Sequence, residues 1–159
     1  MQIEISIAQQ LLTVLDDDGE LRAQYPVSTA LKGPGEIKGS YQTPRGRHVV
    51  RAKIGGDAPV NSVFVGRRPT GEIWTTMLGE QHPGRDWILT RILWLSGCEV
   101  GRNRLGNVDS MQRYIYIHGT PDDQTIGEPH SHGCVRMRND DVIALFDMVP
   151  VGTAVEILD

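Results

Sequence analysis

Alternating apolar and polar residues near both ends of the chain predict β-strands. At residues 3–7 isoleucines alternate with polar side chains, the period of two expected of a half-buried strand. The apolar segments 11–15 and 21–28 flank a turn at 16–19 that ends in Gly, and therefore predict a β-hairpin. The alternation returns at 153–157 and predicts a closing strand.

The middle of the chain is less regular. The segment 87–95 fits a strand or a short buried helix, and 33–46 is rich in Gly and Pro and predicts a loop. Part of 66–113 is interpreted as a loop or lid near a functional site. The alternative is a surface loop without a functional role. Shorter apolar runs predict further strands at 48–54, 60–65 and 114–118.

One helix is predicted after the last of these strands. Asn139 is a favourable N-cap, and two aspartates follow it where the helix dipole favours negative charge. Pro150 and Gly152 are expected to end the helix. Its apolar positions follow helical spacing, at Val142, Leu145, Phe146 and Val149. The elements together predict a mainly-β fold with one or two short helices, as a single domain over residues 1–159.

Composition excludes some partners. The chain has 16 Lys+Arg against 20 Asp+Glu, a formal net charge of −4, which does not favour nucleic acid. No apolar run reaches the roughly 18 residues of a membrane span. The segment after Met1 lacks the pattern of a signal peptide. We therefore expect a cytoplasmic protein if Met1 is native, and a periplasmic one if the natural chain begins upstream.

The residues that are candidates for a catalytic role lie in one short segment of the chain. They are His118, His130, His132 and Cys134. His118 ends a predicted strand and Cys134 lies on a loop before the predicted helix, an arrangement suited to a base and a thiol nucleophile. An adjacent imidazolium can bring a thiol from a pKa near 8.5 to roughly 3.5–7.5. The absence of a Cβ at Gly133 would let backbone amides approach an oxyanion.

Two other interpretations of these residues stay open. All three histidines and the cysteine are acceptable zinc ligands, and a buried structural cluster is also conceivable. The second cysteine, Cys98, is expected to be a buried small hydrophobe rather than a disulfide partner of Cys134.

The cysteine segment Ser131-His132-Gly133-Cys134-Val135-Arg136-Met137 resembles the signature of the L,D-transpeptidase catalytic domain (YkuD-like) family. Ile117-His118-Gly119-Thr120 resembles the family's upstream histidine motif. Thr43-Pro44-Arg45-Gly46 and Tyr25-Pro26-Val27-Ser28-Thr29 resemble its Thr-Pro-x-Gly turn and its early strand. The likeness covers nearly the whole chain, although some branches carry Asn where this chain has Arg136.

The resemblance implies a mixed β-sandwich that acts on peptidoglycan stem peptides without a cofactor or metal. It implies Cys134 as nucleophile, His118 as base, His132 as a residue that shapes the site, and the amides of Gly133 and Cys134 as oxyanion donors. Four residues are expected to assist substrate binding. Of these, Ser131 is also expected to orient a histidine, and Arg136 to contact a substrate carboxylate or brace the loop; the others are Gly119 and Thr120.

The reaction implied is cleavage of the L,D amide before a terminal D-alanine, through a thioester on Cys134. Water as the acceptor would make the protein an L,D-carboxypeptidase of soluble muropeptides, which the missing export signal favours. An amine acceptor would instead give 3→3 cross-links or exchange of D-amino acids. The alternative from another functional class is a non-catalytic module that binds wall peptides.

Overall fold

The computed structural model describes all 159 residues and contains one ten-stranded sheet. Two short α-helices complete a mainly-β fold, as predicted, with a 3₁₀ turn at Gly106–Val108. The helices are α1 (Thr76–Gln81) and α2 (Asn139–Met148). The strands are β1 (Gln2–Ser6), β2 (Leu11–Leu15), β3 (Leu21–Pro26), β4 (Gly46–Ile54), β5 (Ser62–Val65), β6 (Arg68–Ile73), β7 (Ile88–Gly97), β8 (Tyr116–Gly119), β9 (Val135–Met137) and β10 (Ala154–Leu158).

The sheet runs in the order β3-β2-β1-β10-β4-β7-β5-β6, and β8 branches from β7 to pair with β9. Two pairings are parallel, β1 with β10 and β8 with β9, and the rest are antiparallel. Alternate residues of these strands and one face of α2 form a core of 19 buried side chains. No helix is long and apolar enough to span a bilayer.

Most predicted elements are confirmed, with three differences. The ambiguous segment 87–95 belongs to strand β7. Within 66–113, part of which was interpreted as a loop or lid, β6 and α1 lie where no element was predicted. The strand β9, which has three residues, was not predicted. Periodicity cannot reveal so short a strand, since a period of two needs at least four residues to show.

The start of α2 differs in detail from its prediction. The N-cap position is Arg138, which makes no side-chain capping bond, and Asn139 is the first helical residue. The Asn139 side chain is buried and is bonded elsewhere: its Oδ1 accepts a hydrogen bond of 2.6 Å from Thr90, and its Nδ2 donates one of 2.9 Å to Asn61. The amide therefore ties the helix to the β7 side of the sheet instead of capping the helix.

The hydrogen bonds of the Asn139 side chain lie beside the end of β8. Thr90 has a φ of +75°, which is unusual for a β-branched residue, and the register between β7 and β8 shifts next to it. A Cβ on Gly119, the last residue of β8, would collide with Oδ1 of Asn139 and the carbonyl oxygen of Leu89. Only glycine allows β8, β7 and α2 to meet this closely.

A buried histidine in β4 gives the fold a pH dependence. His48 is 1% exposed, with its ring nitrogens 3.0 Å from the carbonyl oxygen of Gly46 and 2.8 Å from Oγ of Ser110. Burial lowers its pKa from 6.5 to about 4. Between these values the unfolded chain binds more protons than the native one. We expect the free energy of unfolding to fall as the pH falls through this window, by up to about 3 kcal/mol from this residue.

Urea unfolding at several pH values between 4 and 7 tests this expectation. His48→Gln should reduce the slope of stability against pH, and His118, whose pKa burial also lowers, should contribute to the slope that remains. The exposed His82→Gln is the matched control and should keep the wild-type slope. Equal slopes for the wild type and His48→Gln would show that His48 does not cause the pH dependence of stability.

Candidate active site

The parallel pairing of β8 with β9 brings the candidate base and nucleophile together. His118 is paired with Arg136, and Ile117 with Val135. Alternate residues of a strand point to opposite faces. Ile117 and Val135 therefore enter the core, whereas His118 and Arg136 lie on the other face. Cys134 is two residues before Arg136 and so shares that face.

That face opens into a cavity of about 480 Å³. Cys134, His118, Ser131, His132 and Arg136 line it. The predicted catalytic side chains therefore converge on one space. The cavity wall also contains residues that sequence reasoning did not single out, namely Arg67, Asp86, Arg113, Tyr114 and Tyr116.

The His118 imidazole is held in one tautomer. Its Nδ1 lies 2.6 Å from the carbonyl oxygen of Gly119, which can only accept, so Nδ1 carries the proton. Nε2 is then left as an unprotonated acceptor. Burial lowers the pKa of His118, and the charge of Asp86 opposes this effect only in part. The resting imidazole is therefore neutral and able to take up a proton at Nε2.

Cys134 lies one residue before β9 and is half-buried. Its Sγ accepts a bond of 3.4 Å from the Tyr116 N–H and donates one of 3.3 Å to the carbonyl oxygen of Tyr114. Burial raises the pKa of the thiol to about 12. The sequence led us to expect a thiol that ionises near neutral pH. Burial instead shifts the pKa of the thiol upward, because the desolvation of a thiolate outweighs the Tyr116 N–H bond and the attraction of nearby arginines.

Hydrogen bonds from two motifs that are distant in sequence hold the segment that carries Cys134. These motifs are the Thr-Pro turn and the early strand. The Oγ1 of Thr43 accepts a bond of 3.0 Å from the Ala30 N–H and donates one of 2.9 Å to the Gly133 carbonyl. Ser28 and Arg136 exchange two backbone bonds of 2.9 Å. The Thr-Pro turn and the early strand thus position the loop that carries Cys134.

Ser131 also braces this loop. Its hydroxyl donates to the Cys134 carbonyl at 2.5 Å and accepts from the Gly133 N–H at 3.1 Å. The expectation that Ser131 orients a histidine is therefore wrong, because its hydroxyl bonds only to the loop itself. Gly133 has a φ of +132°, which other residues rarely adopt.

The amides expected to hold an oxyanion are not equivalent. The Gly133 N–H is already bonded to Ser131, whereas the Cys134 N–H has no hydrogen-bond partner in the protein. The Cys134 amide is thus the available donor beside the sulfur.

Arg136 does not present a free cation to the cavity. Its Nη2 donates to Oδ1 of Asp86 at 3.0 Å, and its Nη1 donates to the His130 carbonyl at 3.4 Å. Asp86 also lies 3.8 Å from Nδ1 of His132, an exposed ring edge-on to Tyr41. Of the two roles expected for Arg136, these contacts fit bracing better than capture of a substrate carboxylate.

The other predicted residues have different positions. Gly119 is buried, and its carbonyl orients the imidazole of His118. Thr120 lines a separate cavity near the start of α2, so neither it nor Gly119 lines the cysteine cavity. Cys98 is exposed, not buried as expected, and both cysteines are free.

The zinc interpretation has no geometric support. No three side chains of His, Cys, Asp or Glu converge on a point that could hold a metal ion. His118 already directs Nδ1 at a carbonyl, and Cys134 bonds to two backbone groups. Cys134 and His118 line the same cavity, but no hydrogen bond joins Sγ of Cys134 to Nε2 of His118 in the resting site.

Comparison with known proteins decides the family. The profile of the L,D-transpeptidase catalytic domain (YkuD) matches residues 1–157. This chain belongs to the L,D-transpeptidase catalytic-domain family. One relative, named probable L,D-transpeptidase YbiS, from Escherichia coli strain K12, is 31% identical over 137 residues. The match covers 75% of this chain and 41% of that protein, so the chain spans less than half the length of this relative.

Other similarities agree on the family and the fold. The putative L,D-transpeptidase YqjB of Bacillus subtilis strain 168 is 51% identical over 47 residues, covering 30% of this chain and 27% of that protein. The solved L,D-transpeptidase of Mycobacterium smegmatis superposes with a TM-score of 0.61 at 21% identity, covering 99% of this chain and 58% of that chain. L,D-transpeptidase 3 of Mycobacterium tuberculosis, solved with a faropenem-derived adduct, superposes with a TM-score of 0.60 at 18% identity, covering 99% and 59%.

The raised thiol pKa predicts how Cys134 of this L,D-transpeptidase domain reacts with alkylating agents. Below the pKa of about 12, the thiolate fraction rises about tenfold per pH unit. In a Cys98→Ala variant, the rate at which iodoacetamide alkylates Cys134 should therefore climb steadily from pH 7 to pH 9. Mass spectrometry of timed samples measures the rate. A rate that has already levelled off at pH 7 would show that the thiol is ionised in the free protein.

Removal of the Thr43 hydroxyl tests the bracing of the loop. Thr43→Val keeps the side-chain shape but leaves the Ala30 N–H and the Gly133 carbonyl buried without that partner. We expect a loss of about 1–3 kcal/mol in the free energy of unfolding, measured by urea titration. Thr70→Val on β6, where the residue is exposed, is the control and should change stability little. Equal stability of the two variants would show that the Thr43 hydroxyl does not support the loop.

Proposed function

We propose that this domain is a cysteine-nucleophile acyltransferase of peptidoglycan tetrapeptide stems, which cleaves the L,D amide before the terminal D-alanine. One observation carries the proposal: a neutral thiol and an imidazole with an unprotonated Nε2 line the same cavity. Membership of the L,D-transpeptidase family supports the substrate class. A non-catalytic wall-peptide module would not need this pair.

The neutral resting state suggests a thiol that is deprotonated only as it attacks. The Cys134 sulfur bonds to the carbonyl carbon of the third stem residue while its proton passes to Nε2 of His118. The negative charge on the carbonyl oxygen is met by the Cys134 N–H. When the carbon–nitrogen bond breaks, His118 returns the proton to the departing amine of D-alanine. A thioester on Cys134 remains.

Water is the acceptor that we propose for this thioester. Cys134 is only half-buried and the neighbouring His132 side chain is 63% exposed, and this partial exposure of the site supports water as the acceptor. Hydrolysis releases a tripeptide and makes the domain an L,D-carboxypeptidase. Soluble muropeptides in the cytoplasm are the substrate that we propose for this reaction.

Transfer to an amine has one observation in its favour. A second cavity, of about 420 Å³, shares Asp86, His132 and Arg136 with the cysteine cavity. A second stem could reach the thioester from this side. The product would then be a 3→3 cross-link, or an exchanged D-amino acid.

Removal of the nucleophile tests the mechanism. Cys134→Ala should abolish release of D-alanine from a tetrapeptide stem while the circular dichroism spectrum stays native. His118→Ala should lower kcat by about 10²–10⁴-fold, the usual range for a general acid–base group. Cys98→Ala, a change at an exposed thiol, should keep full activity. Release of D-alanine by Cys134→Ala would refute the thioester mechanism.

The products identify the acceptor. Tetrapeptide is incubated with the domain, with and without a D-amino acid or a second stem, and the products are weighed by mass spectrometry. Tripeptide as the main product in both samples is the expected result. A dimer or an exchanged D-amino acid as the main product would show that the domain transfers the acyl group to an amine and does not mainly hydrolyse the thioester.

A further inference from the structure

Arg67 lies at the tip of the hairpin that joins β5 and β6, in the wall of the cysteine cavity. Gly66 and Arg67 have φ values of +57° and +66°, and so both turn residues are left-handed. This is the geometry of the tight hairpin turns that match strand twist. A non-glycine residue is uncommon in this conformation, and the turn fixes the point from which the Arg67 side chain leaves the backbone.

The side chain of Arg67 is held by neutral groups alone. Its guanidinium lies 4.7 Å from the ring centre of Trp94 and 4.8 Å from that of Tyr114. Its Nη1 donates a bond of 2.9 Å to the hydroxyl of Tyr116. Aromatic faces attract a cation without neutralising its charge. A guanidinium has five N–H donors, and the Tyr116 hydroxyl is the only hydrogen-bond acceptor that Arg67 meets.

The other arginines of the cavity already form several hydrogen bonds or an ion pair within the protein. Arg136 is paired with Asp86. Arg113 donates to the carbonyl oxygens of Gly35 and Gln42 and to Oγ of Ser40. Arg113 also has only neutral partners and keeps its charge, but Arg67, with one acceptor, leaves more of its N–H donors for an incoming anion.

A single residue links Arg67 to the nucleophile. The N–H of Tyr116 donates to Sγ of Cys134, and its hydroxyl accepts from Arg67. The guanidinium and the sulfur therefore contact opposite ends of one tyrosine. In a tetrapeptide, only the amide nitrogen and one Cα separate the scissile carbonyl carbon from the terminal carboxylate. We expect a carbonyl placed at the sulfur to leave that carboxylate near the wall formed by Tyr116 and Arg67.

We propose that Arg67 is a specificity-determining residue that binds the terminal carboxylate of the departing D-amino acid. This rests on the proposed function, because it assumes that a stem peptide places its scissile carbonyl at Cys134. Arg67 then selects stems that end one residue after the scissile bond. A terminal amide or a further residue would remove the negative charge from the position that the guanidinium faces.

A pair of substrates that differ only in this charge tests the proposal. Synthetic tetrapeptides ending in D-alanine or in D-alanine amide are prepared with lysine and with diaminopimelate as the third residue. The wild type should show a KM about 10–100-fold lower for the acid, since charge-assisted bonds are strong. Arg67→Gln should raise the KM for the acid by a similar factor, leave that for the amide nearly unchanged, and keep kcat within about threefold.

Two further variants separate charge from structure. Arg67→Lys keeps the charge but not the planar fork, and should restore part of the preference for the acid. Arg68→Gln changes the adjacent, exposed arginine of the same hairpin and should behave as the wild type. Equal KM values for acid and amide in the wild type, or an unaltered preference in Arg67→Gln, would overturn the proposal. A preference that depends instead on a carboxylate of the second or third residue would also overturn it.

A binding measurement keeps this test independent of catalysis. Isothermal titration of the Cys134→Ala variant with the acid and amide peptides should show the same preference for the acid. The double variant Cys134→Ala/Arg67→Gln should lose it. If Cys134→Ala still releases D-alanine, the proposed function fails, whereas equal binding of the two peptides refutes only the role of Arg67.

Discussion

The site depends on one pairing, the short parallel ladder between β8 and β9. The candidate base His118 is the next-to-last residue of β8, and β9 follows directly from the candidate nucleophile Cys134. Their register places His118 and Cys134 on one face of the sheet while the alternate residues enter the core. Burial of Ile117 and Val135 therefore stabilises the same arrangement that brings the thiol and imidazole to one cavity. A slip of one residue would turn one of the two side chains into the core.

The resting electrostatics of the site restrict how it can react. Burial raises the pKa of Cys134 and lowers that of His118, so both effects favour an uncharged pair. A thiol in this state is protected from adventitious alkylation and oxidation, because the thiolate is the reactive form. Reaction then requires a carbonyl at the sulfur and an amide donor for the charge that develops on its oxygen. Under this proposal, correct placement of a substrate is itself the activating event.

Short motifs and long-range bracing act together around the cysteine loop. Thr43 and Ser28 are distant from Cys134 in sequence, yet Thr43 bonds to Gly133 in the loop that carries Cys134, and Ser28 bonds to Arg136 in the strand that follows it. Asn139, also a residue noticed in the sequence, bonds across to Thr90 instead of capping its helix. Propensity favours an N-cap at such a position, but a buried amide takes whichever partners the packing supplies. Local rules predicted the helix correctly and the function of its first residue wrongly.

The sequence alone determined the strand-rich class, the family resemblance and the cysteine–histidine pair, because periodicity and contiguous motifs are local properties of a chain. It did not reveal Arg67 or Asp86, which lie far from the motifs and have no distinguishing neighbours. Only the tertiary structure decided that Asp86 neutralises Arg136 and that aromatic rings hold Arg67 without an acid. The physical reason is that charge pairing and desolvation depend on which side chains meet in space. These contacts arise between elements that the chain sequence leaves widely separated.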